Sequence, residues 1–183
     1  MQEDLERVLF DEATILRRLD ELAAEISSEY RGRELTVIAV LNGSIILMAD
    51  LLRRIPLPLK LDCLSVASYH GGTTSGEIIF NQIALPDVAG RHILILDDIL
   101  DSGVTLGAIR DKLESKNPSS VKICVLLRKL RPRLRPVEAD YVGFNIDDEF
   151  VVGYGLDYME HYRNLPCIGV LRKEKLFPSP SDA

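Results

Sequence analysis

Cysteine is scarce in this chain: Cys63, Cys124 and Cys167 are the only three in 183 residues, far apart and without a CxxC pair. That spacing suits neither a disulfide framework nor a thiolate zinc site, and predicts reduced thiols buried in or beside strands. Long apolar runs are lacking too, since none approaches the roughly 18 residues needed to cross a bilayer. No membrane partner is expected. The stretch from Met1 to Leu22 is acidic and interrupted where a secretory leader is basic and then continuously apolar, so a cytoplasmic location is expected. Positive charge is short as well, with 22 Lys and Arg against 28 Asp and Glu and a net charge of -6. A protein that lives on phosphate backbones carries a basic excess, so no nucleic-acid partner is expected. A small phosphorylated ligand remains open, because backbone N–H groups at a helix start hold phosphate without net positive charge.

What is present is enough apolar material, 46% of the chain, for a substantial core, and residues 1–183 read as a single domain. Ile15, Leu16, Leu19, Leu22, Ala23 and Ile26 recur at helical spacing and predict an amphipathic first helix. Leu35–Leu41 is a short, β-branched apolar run, the pattern of a buried parallel strand. A helix from Ile45 to Ile55 ends at Pro56. Strands are predicted over Leu59–Tyr69 and Glu77–Leu85, with a polar, glycine-rich loop between them. Further strands are predicted at His92–Leu96, Val121–Leu127, Tyr141–Phe144, Phe150–Tyr154 and Ile168–Leu171, with a helix over Ser102–Leu113. This alternation predicts an α/β fold with a parallel sheet flanked by helices. Residues 177–183 read as a frayed tail.

The stretch HILILDDILDSGVTL, His92–Leu106, carries the most chemistry. A buried strand delivers Asp97 and Asp98 to its carboxyl end, where ligands bind in open α/β sheets. Asp101, Ser102, Gly103, Val104 and Thr105 then offer backbone amides, two hydroxyls and a permissive glycine at a helix start, the makings of a phosphate cradle. Phosphate beside paired acids suggests a phosphorylated sugar and a magnesium ion held mostly through its waters.

That stretch resembles the phosphoribosyl-pyrophosphate signature of type I phosphoribosyltransferases, in which two acids precede an Asp-Thr/Ser-Gly-x-Thr loop. The block VGFNIDDEFVVGYGLDYMEHYRNLP, Val142–Pro166, is similar to the carboxyl-terminal block of the hypoxanthine-guanine branch of that family. The resemblance runs from about Ala13 to Leu171. It implies the type I phosphoribosyltransferase fold, a parallel core of four or five strands with a small hood built from the two ends of the chain. It also implies transfer of the 5-phosphoribosyl group of phosphoribosyl pyrophosphate to N9 of hypoxanthine or guanine, giving IMP or GMP and pyrophosphate.

Site residues follow from the resemblance one by one. Asp97 and Asp98 engage the ribose hydroxyls and magnesium, and Asp101 to Thr105 receive the 5-phosphate. Asp101 is also the candidate general base at N7 of the purine. Asn42 and Gly43 offer amides to pyrophosphate in a turn whose peptide bond is sometimes cis in the family, and Arg163 pairs with pyrophosphate. Many family members carry Lys where Asn42 stands, so this chain lacks one cation there. Phe150 stacks on the base, Val151 meets its 2-position edge through the backbone, and Lys129 donates to O6. Asp157 borders the base and holds a second magnesium. Ser68 and Tyr69 open a flexible loop, 68–80, that closes over the reacting centre. A homodimer or homotetramer is the family expectation.

The other cations of the 128–135 segment, Arg128, Arg131, Arg133 and Arg135, read as a solvated loop. Alternatives are an RNA-binding regulator on the same fold, using that segment as its contact surface, and a xanthine-preferring transferase.

Overall fold

The computed structural model describes residues 1–68, 78–80 and 86–176. The predicted Tyr69, nearly all of the 68–80 loop and the 177–183 tail lie outside the described residues, while Ser68 closes a strand.

The main sheet contains strands β2 (Leu35–Leu41), β3 (Leu59–Ser68), β4 (Ile78–Phe80), β5 (His92–Leu100), β6 (Ser120–Lys129) and β7 (Tyr141–Ile146), in the order β4-β3-β2-β5-β6-β7. Five of them run parallel, as predicted, and β4 pairs antiparallel with the end of β3. The inner strands are apolar without alternation because both faces are covered. Helices α1 (Glu12–Glu29) and α2 (Ile45–Leu52) cover one face, packing Ile15, Leu19, Leu22, Leu47 and Leu51 against Val37, Leu94, Leu96 and Leu126. Helix α3 (Val104–Glu114) covers the other, with Ile109 and Leu113 against Ile38, Ile93, Ile95 and Ile123.

A second, three-stranded antiparallel sheet forms the hood, from β1 (Leu5–Phe10), β8 (Val151–Val152) and β9 (Ile168–Leu171) in the order β1-β9-β8. It pairs β1 with strands from the other end of the described chain. Its inner residues Val151, Ile168 and Val170 belong to the same apolar cluster as α1 and α2, and Tyr154 Oη donates to Asp50 Oδ2 of α2 at 2.6 Å. Strand β1 carries no predictive signal, since LERVLF buries only Leu5 fully and becomes a strand by pairing with β9.

Several boundaries differ from expectation. Helix α3 begins at Val104 rather than Ser102, because Gly103 takes a left-handed φ of 77° that ends the loop. Helix α2 stops at Leu52, three residues short of the predicted end. The strand predicted over Phe150–Tyr154 shrinks to Val151–Val152, since Gly153 and Tyr154 turn away with φ of 98° and 50°. Strands β5, β6 and β7 each run past their predicted ends, which carries their site residues outward together. Cys124 and Cys167 are free and buried. Burial pushes the Cys124 thiol up to about 12, which makes it inert. No helix among the described residues is long and apolar enough to cross a membrane.

Candidate active site

Parallel register brings the predicted residues together. Leu100 pairs with Arg128 and Lys129 with Ile146, so the carboxyl ends of β5, β6 and β7 align and release Asp101, Lys129 and Asp148 on one edge of the sheet. Strand β2 ends beside them at Leu41, followed by a cis Leu41–Asn42 peptide bond and a turn in which Ile45 N–H donates to Asn42 O at 3.2 Å.

Two adjoining cavities open on this edge. The first, about 290 Å³, is lined by Leu41, Gly43, Asp97, Asp98, Asp101, Ser102, Gly103, Thr105, Asp157 and Arg163 among others. The second, about 230 Å³, is lined by Asp98, Ile99, Asp101, Lys129, Glu149, Phe150, Val151, Leu156 and Asp157. Asp98, Ile99, Asp101 and Asp157 belong to both, so they form the wall where two ligands would meet.

Asp97 and Asp98 sit at the floor of the first cavity. Asp97 is 8% exposed and its Oδ1 accepts the Asp98 N–H at 3.0 Å. Burial, and then the neighbouring Asp98 charge, pushes Asp97 well above the usual carboxylate range. Asp98 is also raised by burial, against opposition from hydrogen bonds and the Arg163 charge. Neither forms an ion pair among the described residues. Two desolvated, uncompensated carboxylates are costly unless a cation joins them.

The loop ahead of α3 follows. The first turn of α3 has no side-chain cap at Gly103 and no acidic residue, so its amides and the positive end of its dipole face the cavity unopposed. Ser102 Oγ accepts only a long contact from Val104 N–H, 3.4 Å. Val104 itself does not line the cavity, whereas Ser102, Gly103 and Thr105 do. The segment after β6 supports this loop from behind: Arg135 N–H donates to Ser102 O at 3.1 Å, and the Arg135 carbonyl lies against the Gly103 Cα, leaving no room for a side chain.

Arg163 holds Asp157, Nη2 to Oδ1 at 2.7 Å, and donates from Nη1 to Gly155 O at 2.7 Å. Asp157 Oδ2 also accepts the Glu160 N–H at 2.9 Å. Both residues line the first cavity. Asn42 is exposed and does not line it, although its neighbours Leu41 and Gly43 do. Phe150 is 43% exposed and meets Tyr158 edge-on, with centroids 5.5 Å apart. An aromatic ring that open, at the mouth of a cavity, is available to a planar ligand.

The basic segment is a largely exposed loop whose arginines also find partners within the chain. Arg128 donates to Asn145 Oδ1 at 2.8 Å, Arg131 pairs with Asp101 and Asp148, Arg133 with Glu138 and Arg135 with Asp111. Each of these cations has a partner within the chain, most of them at the surface. Sequence reasoning also missed Asp148, Arg131 and Glu149. The usable signal was positional: residues leaving neighbouring parallel strands at the same end must meet.

Comparison with known proteins decides the family. Residues 8–159 match the phosphoribosyl transferase domain. The chain belongs to the phosphoribosyltransferase family. It is 43% identical over 175 residues to the hypoxanthine-guanine phosphoribosyltransferase of Streptococcus pneumoniae, covering 95% of this chain and 97% of that enzyme. A crystal structure of a hypoxanthine phosphoribosyltransferase from Staphylococcus aureus superposes with a TM-score of 0.92 at 42% identity, covering 98% of this chain and 97% of that one. The enzyme from Trypanosoma cruzi, solved as a mutant in a ternary substrates complex, aligns with a TM-score of 0.88 at 38% identity, over 94% and 98% of the two chains. The phosphoribosyltransferase fold expected from sequence is therefore the fold observed, with its two cavities at the carboxyl edge of the sheet.

Proposed function

We propose that this phosphoribosyltransferase joins hypoxanthine or guanine to phosphoribosyl pyrophosphate, forming IMP or GMP and releasing pyrophosphate. The observation that carries this reading is Asp101, on the wall common to a cavity built for anions and hydroxyls and a cavity built for a planar base. The names of the relatives, at about 40% identity over nearly the whole chain, support the choice of base.

In the first cavity the α3 amides, Ser102 and Thr105 receive the 5-phosphate, and Asp97 and Asp98 orient the ribose hydroxyls. The amides around Asn42 and Gly43, together with Arg163, take the pyrophosphate. In the second, Phe150 stacks on the purine, the Val151 backbone meets its 2-position edge, and Lys129 donates to O6. As N9 forms its bond to C1′ and pyrophosphate departs with the electrons of the broken C–O bond, the N7 proton of the base passes to Asp101. The carboxylates face the positive charge that develops on the sugar.

Magnesium fits the donor set. No group of three or more Asp, Glu, His or Cys gathers into a cage among the described residues. Two bare carboxylates at a phosphate site nevertheless suit an ion that keeps its waters and shares substrate oxygens. Asp97 and Asp98 would hold one ion. Asp157 would hold a second on exchanging its Arg163 contact. When bound, magnesium supplies charge screening for the pyrophosphate.

The buried, free Cys124 and Cys167 suit a reducing, cytoplasmic compartment, and a homodimer or homotetramer is the expected working form. A panel of hypoxanthine, guanine, xanthine and adenine assayed with phosphoribosyl pyrophosphate and magnesium tests the reading. IMP and GMP are the expected products. A clear preference for xanthine, or retention of structured RNA without turnover, would replace it.

A further inference from the structure

Four alternating charges close a ring beside the base cavity. Lys129 Nζ lies 3.3 Å from Asp101 Oδ2 and 3.1 Å from Asp148 Oδ1. Arg131 Nη1 lies 3.4 Å from Asp101 Oδ1, 3.2 Å from Asp148 Oδ1 and 3.1 Å from Asp148 Oδ2. Asp101 and Lys129 line the cavity, whereas Arg131 and Asp148 do not and brace the other two from behind. We propose that Arg131 is a positioning residue for transfer to the purine: with Asp148 it fixes Lys129 and Asp101 at the spacing the base requires. The inference rests on the proposed roles of Lys129 and Asp101.

Counting donors and acceptors supports it. An ammonium has three donors. One hydrogen-bonds Asp148 Oδ1 and Asp101 lies beside it as an ion-pair partner, which leaves donors for a ligand in the cavity. The opposite end of the ring is arranged in the complementary way. Asp101 Oδ1 is buried and accepts no hydrogen bond, because Arg131 approaches it as a charge without forming one. Asp101 thus brings to the wall of the cavity a carboxylate with one oxygen that accepts no hydrogen bond. The ring presents the ammonium of Lys129 and the carboxylate of Asp101 to the cavity, the partners of O6 and of the N7 proton.

Arg131 matters because it is the second cation. Without it Lys129, only 11% exposed itself, would be the single cation beside two carboxylates and would be drawn toward them and away from a base. With Arg131 in place Asp148 keeps two contacts of its own, and the ammonium turns to the ligand without stranding it. All three Arg131 contacts pass through a single nitrogen, so a lysine ammonium can reproduce them.

The test is steady-state kinetics of Arg131→Ala, Arg131→Lys, Asp148→Asn and the Arg131→Ala/Asp148→Asn double variant with hypoxanthine and phosphoribosyl pyrophosphate. Arg131→Ala is expected to lower kcat/KM for hypoxanthine about five-fold, the upper end for a partly exposed ion pair, with KM for phosphoribosyl pyrophosphate unchanged. Arg131→Lys restores most of the loss. Asp148→Asn reproduces it, and the double variant is no worse than either single one, since both act through one ring. An equal rise in both KM values, failure of lysine to rescue, or additive losses would overturn the inference. An Asp101→Asn variant with full turnover would instead overturn the general-base reading, leaving the effect of Arg131 on the KM of hypoxanthine to be judged separately.

Discussion

Gly43 and Asp98 approach so closely that a Cβ on Gly43 would fall within the Asp98 carboxylate. Gly155 closes the other side, where a Cβ would meet the Gly43 carbonyl, and its own φ of 103° favours glycine in any case. The β2 turn, the carboxylate at the end of β5 and the loop carrying Asp157 are therefore packed backbone to side chain with no slack. Gly43→Ala is expected to displace Asp98 and lower kcat/KM for phosphoribosyl pyrophosphate by on the order of 10²-fold, the usual cost of an ångström of misplacement. Wild-type kinetics in this variant would remove Asp98 from the sugar site.

The same crowding makes the site costly to the fold. Asp97 is buried and its pKa is raised above the ordinary value of 3.8, so the folded state binds that proton more tightly than the unfolded state does. Its contribution to stability is therefore most favourable below pH 3.8 and is lost as pH rises through the folded pKa. Asp97→Asn removes the charge and keeps an oxygen for the Asp98 N–H. The ligand-free variant is expected to melt at a higher temperature than wild type at neutral pH, with the difference vanishing in acid, and to lose activity. An equal or lower melting temperature at neutral pH would contradict this account.

Much of this arrangement was legible in the sequence because the main sheet is buried on both faces. The run Leu35–Leu41 could be nothing but an inner strand, and its bounds are those observed. The DDILDSGVT stretch likewise announced a strand end and a helix start. What stayed hidden depended on pairing between distant segments. Strand β1 exists because β9 lies beside it, and the fate of each arginine after β6 depended on acids elsewhere in the chain, Asp101 among them. Composition suggested solvent for those arginines, and tertiary structure supplied partners.

Magnesium is expected to be required for turnover, because Asp97, Asp98 and Asp157 surround a cavity that must admit a polyanion. Excess chelator should abolish activity and added magnesium restore it. Undiminished turnover in chelator would exclude the metal from this reaction.

Asp101→Asn is expected to lower kcat by about 10²–10⁴-fold, the usual cost of losing a general base, while the affinity for phosphoribosyl pyrophosphate changes little. The amide cannot accept the N7 proton, yet the Ser102, Gly103 and Thr105 contacts to the 5-phosphate remain. A wild-type rate throughout the pH range would exclude Asp101 as the base.

Lys129 sets the expected discrimination at the 6-position. Its ammonium can only donate, so it complements the 6-oxo acceptor of hypoxanthine or guanine. Adenine presents an amino group there, whose hydrogens would face the ammonium and leave both without acceptors. Asp101 and Asp148 flank the ammonium at 3.3 Å and 3.1 Å, and its side chain is only 11% exposed. Sites built around one polar contact discriminate by roughly 10⁴–10⁵-fold, because the wrong ligand strands buried polar groups. Adenine is therefore expected to be a very poor substrate. Lys129→Ala should raise KM for both 6-oxopurines and narrow their advantage over adenine, although Arg131 would still neutralise the two carboxylates left behind. The check is to compare kcat/KM for hypoxanthine and adenine in the two proteins. Equal use of both bases by the wild type would show that Lys129 does not read the 6-position.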